Sequence, residues 1–290
     1  MRQKAILGFL AGITAAAIWG GMYVVSKAVM DVIQPLTLLT LRLALGILTL
    51  GLICLIRKGD PIRPKTFWQI FGIGTVGYGI SLGFQFVGTN LSTAANGALV
   101  TSATPAFVVL FAALLLKERV TLRRLLALLL ATLGVLIVIR PEAGQFSSQL
   151  FLGNLYLTLA ALTWALYSVL MRLATRQTDV LTASLVALAG GLPVSMPLGL
   201  WEVAHQGYGT FTLNVLGGIL FLGVISTALA MYLWNTAFTY LEAGTASLTF
   251  FAQPVVGAVL GVIFLDEVLS PLFLLGGLLI GLGLVLSARE

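Results

Sequence analysis

The sequence predicts an all-α integral membrane protein: ten transmembrane helices arranged as two inverted five-helix repeats. Three observations carry that expectation. The chain is 59% hydrophobic and only 9% charged, with a mean hydropathy of +1.06, whereas soluble domains are roughly 25% charged. A soluble chain of 290 residues could not hide so much apolar surface, but a bilayer accepts it. Polar breaks then divide the chain into ten apolar stretches, each long enough to span a bilayer as a helix. Finally, the chain repeats itself. Pro105, Glu118 and Thr121 recur as Pro254, Glu267 and Ser270, a shift of 149, while Gly8, Trp19 and Lys27 recur as Gly153, Trp164 and Arg172, a shift of 145. Two units that each hold an odd number of spans insert in opposite directions, an arrangement common among alternating-access carriers.

In chain order the spans are expected at 5–26, 35–56, 66–88, 93–116, 121–139, 152–171, 180–201, 213–238, 243–265 and 270–288. Several open with a cap or an N1 proline, as at Gln34-Pro35, Thr121 and Ser270-Pro271. No Pro/Ser-rich linker intervenes, and the longest connections lie near 140–151 and 202–212, so the units are 1–140 and 150–290 within one integral domain. The first segment has the basic start and apolar centre of a signal peptide. Its repeat partner at 152–171 identifies it instead as a structural helix.

Orientation follows from the basic residues, because cytoplasmic loops retain lysine and arginine. With the N-terminus inside, Arg2, Lys4, Arg57, Lys58, Arg63, Lys65, Lys117, Arg119, Arg123, Arg124, Arg172, Arg176 and Arg289 fall on the cytoplasmic side. Only Lys27 and Arg140 fall outside, and Arg42 lies within a span. Both termini are therefore expected in the cytoplasm of a multi-pass protein of the bacterial inner membrane. The net charge of +6 reflects this loop bias rather than a nucleic-acid partner. The single cysteine, Cys54, excludes an intramolecular disulfide.

These repeated motifs and the count of spans resemble the EamA family of the drug/metabolite transporter superfamily, over the whole chain. Within it, the compact length and aromatic-containing spans look like bacterial exporters of amino acids and other metabolites, including the YddG-type aromatic amino-acid exporters. The resemblance implies a central cavity lined mainly by the first, third, fourth, sixth, eighth and ninth helices.

Polar side chains inside those spans are the candidate substrate-binding residues. The third offers Tyr78, Ser81 and Gln85 along one stripe. The fourth contains Asn96, Thr101, Ser102 and Thr104, the eighth Met231, Tyr232 and Asn235, and the ninth Thr245, Ser247, Thr249 and Gln253. Trp19 with Tyr23, and Trp164 with Ser168, each place an aromatic and a polar group one turn apart. Hydrogen bonding between helices is the alternative use for such residues. Pro105 and Pro254, mid-span at equivalent positions, remove a backbone hydrogen bond and are candidate hinges. The helix-three glycines Gly72, Gly74, Gly77, Gly79 and Gly83 suit close helix approach.

Charge inside the spans is sparse. Arg42 sits seven residues after Pro35, roughly 10 Å below the helix end, as either a counter-charge for a substrate carboxylate or a structural pin; its repeat partner is Ala187. Every acidic residue falls at a span end or in a loop, and the one histidine, His205, is in a loop. Glu118 and Glu267 are expected to pair with basic neighbours or cap the following helix. Proton-driven carriers commonly carry a membrane-embedded carboxylate or histidine, so flux is expected to continue without a pH gradient. Motifs for phosphate loops, Cys/His metal clusters and Ser/His/Asp sets are missing, so no catalytic residue, cofactor or metal is expected.

The leading expectation is a monomeric carrier exporting small neutral or zwitterionic metabolites, such as aromatic and neutral amino acids, with the bilayer and a small-molecule substrate as its partners. The direction comes from the resemblance. A sugar-phosphate or nucleotide-sugar exchanger would need several cavity cations. An intramembrane enzyme on lipid-linked substrates would need acid/base residues at membrane depth.

Overall fold

A computed structural model describes residues 2–57, 62–117, 122–139, 148–176 and 178–288. All regular secondary structure among them is helical. The helices are α1 (Arg2–Met30), α2 (Pro35–Arg57), α3 (Pro64–Leu91), α4 (Ala94–Leu116), α5 (Leu122–Ile139), α6 (Ser148–Ala174) and α7 (Val180–Gln206). They continue with α8 (Leu213–Tyr240), α9 (residues 243–265) and α10 (Pro271–Ala288). Among the described residues, seven of these, α1–α4 and α6–α8, are long and apolar enough to cross a membrane. Their outward faces expose Leu55, Ile56 and Leu114, and α9 and α10 expose Ile263, Phe264 and Leu278. Such a surface suits hydrocarbon rather than water.

Helices α1, α6 and α7 extend beyond the apolar runs that announce them. Polar residues at a span end interrupt hydropathy without interrupting the backbone ladder, so the helix continues past the apolar core. Packing is dominated by pairs distant in sequence: α1 with α8 and α9, α6 with α3 and α4, α2 with α7, and α5 with α10. Small residues make the close crossings. A Cβ on Gly88 would stand 2.8 Å from the Gly153 carbonyl oxygen, and one on Gly134 would stand 2.7 Å from that of Gly276. In lipid, backbone proximity of this kind drives helix association through dispersion.

Four helices are irregular at mid-length. A π-helical segment occupies Thr75–Ser81 of α3, and another occupies Phe221–Leu229 of α8. Helix α4 breaks at residues 102–103 and α9 passes through a 3-10 turn at Thr249–Phe251. Pro105 and Pro254 were expected to kink intact helices. Each instead lies in the first turn after a break, in Thr104–Leu116 and in Ala252–Leu265, where a missing N–H costs no ladder bond.

One end of the bundle is tied by charge-assisted caps. Lys27 Nζ donates to the carbonyls of Thr89, Asn90 and Ser92 at 3.2, 2.8 and 2.8 Å, completing the C-terminus of α3. Glu202, near the end of α7, accepts from the Leu36 and Thr37 amides at 3.2 and 2.7 Å. Glu267 accepts from the Ala94 and Ala95 amides at 2.6 and 2.8 Å. It thus caps α4 rather than the helix that follows it, because Ser270 already caps α10 through the Phe273 amide. Glu118 lies outside the described residues.

Candidate functional site

A small cavity of about 20 Å³ lies between helices of both halves of the bundle. Helix α1 contributes Trp19, Met22 and Tyr23, α3 contributes Leu82 and Gln85, and α4 contributes Thr101 and Thr104. From the second half come Ala160, Ala161 and Trp164 of α6, Met231 of α8, and Phe250 and Gln253 of α9. On α1 the spacing i, i+3, i+4 puts its three residues on one face. The irregular segments border the cavity. The π segments end just before Leu82 and Met231, while the breaks fall at Phe250 and between Thr101 and Thr104. Local unwinding of this sort recurs at functional sites because it re-aims side chains and frees backbone groups.

The walls are aromatic. Trp19 meets Trp164 edge to face with centroids 5.6 Å apart, and packs on Trp234 at 5.3 Å and Phe250 at 5.8 Å. Trp164 in turn lies 4.7 Å from the Tyr167 ring. The two repeat-related tryptophans therefore touch rather than face each other across open space. Their indole N–H groups differ. Trp19 Nε1 donates to the Ser226 carbonyl at 3.0 Å, whereas Trp164 Nε1 is buried with no hydrogen-bond partner among the described residues.

Polar groups on the opposite side are already bonded. Thr101 Oγ1 donates to the Gly97 carbonyl at 2.7 Å, sits 2.7 Å from the Tyr23 hydroxyl, and accepts from Gln253 Nε2 at 2.8 Å. This ties α1, α4 and α9 together beside the cavity.

Of the residues singled out in the sequence, Trp19, Tyr23, Gln85, Thr101, Thr104, Trp164, Met231 and Gln253 line the cavity. Tyr78 and Asn235 stand one layer behind. Tyr78 OH contacts Tyr167 OH at 2.6 Å, Tyr167 donates to Asn235 Oδ1 at 3.2 Å, and Asn235 Nδ2 donates to Ser184 Oγ at 2.8 Å. That chain joins α3, α6, α8 and α7. Ser81 donates to the Ala160 carbonyl at 2.8 Å, and Ser168 accepts from Trp234 Nε1 at 3.2 Å. Asn96 lies near the start of α4, donating to Ser92 Oγ. Tyr232 lines a separate, more open groove of about 370 Å³ with Thr49, Ile53, Arg57 and Leu229. The apolar wall residues Met22, Leu82, Ala160, Ala161 and Phe250 were not anticipated. Each sits three or four residues from a polar or tryptophan position already marked, and helical spacing was the available signal.

Arg42 is fully buried. Its Nε donates to Thr227 Oγ1 at 2.7 Å, and Nη1 points at the Met22 thioether at 3.1 Å. Nη2 reaches only long contacts with Ser226, at 3.4 and 3.5 Å. The guanidinium carbon lies 5.1 Å from the Phe86 ring centroid. Met22 thus stands between this cation and the cavity.

The sequence profile of the EamA-like transporter family matches residues 6–140 and again 151–289. The chain is 24% identical over 275 residues to an uncharacterized transporter of Archaeoglobus fulgidus, covering 94% of this chain and 95% of that one. It is likewise 24% identical over 292 residues to the uncharacterized transporter YoaV of Bacillus subtilis, covering 98% and 96%. A protein of known crystal structure superposes with a TM-score of 0.73 at 21% identity, covering 97% of this chain and 98% of that one, a likeness of fold.

Proposed function

This chain belongs to the EamA-like transporter family, and on that premise we propose that it exports small metabolites, aromatic and neutral amino acids among them, by alternating access. The carrying observation is that the central cavity draws on equivalent positions of both halves. Trp19 pairs with Trp164 at a shift of 145, and Thr101 and Thr104 pair with Phe250 and Gln253 at a shift of 149. A cavity on a pseudo-twofold axis between inverted units can open to either side by rocking one unit against the other.

Ten spans in two inverted repeats accord with several further matches. Among the described residues the two left-handed non-glycine residues, Lys117 and Asp266, are 149 apart. The π segments occupy corresponding places in α3 and α8. A Cβ on Gly8 would meet Leu241 at 3.0 Å, and one on its equivalent Gly153 would meet Leu91 at 3.0 Å. Rings such as Trp19, Trp164 and Phe250 suit an apolar or cationic substrate group, each contact contributing about 0.5–1.5 kcal/mol. A phosphorylated sugar finds no lysine or arginine in the lining. The loop bias of basic residues favours cytoplasmic termini in an inner membrane, and Pro105 and Pro254, beside the breaks, are the hinge positions.

The test is flux of labelled phenylalanine and other neutral amino acids in proteoliposomes, with and without a pH gradient. Flux should occur without the gradient, and Glu267→Gln should reduce the yield of folded protein while leaving any pH dependence in place. Strict gradient dependence lost in that variant would make Glu267 the proton relay. No flux of any amino acid would overturn the substrate assignment.

A further inference from the structure

Among the described residues Arg42 is a buried cation without a carboxylate partner: its polar and ring contacts are one hydroxyl, long contacts to Ser226, an aromatic face and a sulfur. A charge is costly to hold in a membrane interior unless something pairs with it. Two of the groups it touches already have other partners. Thr227 Oγ1 is already bonded to the Leu222 carbonyl, and the Ser226 carbonyl already receives Trp19 Nε1. At the repeat-equivalent position an alanine, Ala187, serves the same helix contact.

A thioether is a weak acceptor, so the Nη1 donor aimed at Met22 has little to lose by exchanging it. Methionine is also unbranched and readily repacks, and Met22 lines the cavity. Trp164 supplies the second feature, a buried indole N–H with no acceptor on the wall of that same cavity. A buried donor left unmade is expensive, and the equivalent indole of Trp19 is satisfied. A small cavity with one idle donor, and an unpaired cation behind a movable side chain, lacks an anionic acceptor.

We propose that Arg42 and the Trp164 indole N–H form a carboxylate-binding subsite of the central cavity, with Met22 as its movable cover, so that the substrate is a small carboxylic acid carrying an apolar or aromatic body. This rests on the reading of that cavity as the transport site. A carboxylate offers two oxygens, enough to accept from the guanidinium fork and from the indole together. Its apolar body then lies against Trp19 and Phe250.

The probes are phenylpropanoate and phenylpropanamide, equal in shape and differing only in the carboxylate. Binding to the full-length protein in nanodiscs is followed by intrinsic tryptophan emission. The wild type should bind the acid at least tenfold more tightly than the amide. Arg42→Gln should bring that ratio close to one, and Trp164→Phe, which keeps a ring but removes the N–H, should lower it several-fold. Equal affinity for both probes in the wild type, or an undiminished ratio in both variants, would overturn the subsite; so would loss of both probes in both variants. Arg42-dependent acid binding by a protein that moves no solute would support the subsite and sink the transport reading. Amino-acid flux with equal binding of the two probes would do the reverse.

Discussion

Two seams of the bundle, α3 with α7 and α2 with α8, are both closely packed at glycines, the second at Gly46 and Gly223, yet they differ in polar chemistry. Where α3 meets α7, small residues bring the backbones together. A Cβ added to Gly74 would stand 2.0 Å from the Ala187 carbonyl oxygen, and one on Gly190 would stand 2.1 Å from that of Phe71. One hydroxyl, Thr75 Oγ1, joins the helices by donating to the Gly190 carbonyl at 2.8 Å. Where α2 meets α8, position 42 is the arginine in place of Ala187, and its Nε grips Thr227 in the π segment. The first seam is held by dispersion at short range. The second adds a buried charge to its close packing. Close backbone approach and a buried polar grip are separate devices, and one seam can carry both.

The largest effect expected from this contrast is at the tight seam. Gly74→Leu should cost about 3 kcal/mol of unfolding free energy, since a rigid carbonyl cannot give way. Denaturation in mixed micelles measures it, and a cost near zero would mean that α3 and α7 are not so closely apposed. The paired tryptophans come next. Trp19→Phe leaves the Ser226 carbonyl without its best donor and should cost about 1 kcal/mol. Trp164→Phe removes a donor that has no acceptor and should leave stability unchanged. Equal costs for the two would erase the asymmetry on which the carboxylate subsite partly rests. The smallest effect is at the polar seam. Arg42→Met should shift stability by less than about 1 kcal/mol, or raise it, because an unpaired buried cation is replaced by an apolar chain of similar length. A loss of 3 kcal/mol there would identify Arg42 as a structural pin.

Much of the membrane architecture was legible because the signals are local. Hydropathy marks a helix wherever the residues that must face lipid are themselves apolar, and the paired markers at Trp19 and Trp164 pointed to one central region. Even the breaks were half visible: Pro105 and Pro254 lie within a turn of them, although the sequence suggested bends in continuous helices. What stayed hidden depends on neighbours remote in the chain. Glu267 caps a helix that begins more than 170 residues earlier. Tyr232 and Met231 are adjacent, yet one faces the side groove and the other the cavity. Helical rotation, set by packing partners, decides such cases.

By itself the sequence determined a chain for lipid and its apolar runs, since solvent preference is written in residue order. Only the tertiary structure decided which polar groups are satisfied. Trp19 found a carbonyl 207 residues away, while its counterpart Trp164 found none. A hydrogen bond needs two groups at one place, and place is a property of the packed bundle rather than of any segment in it.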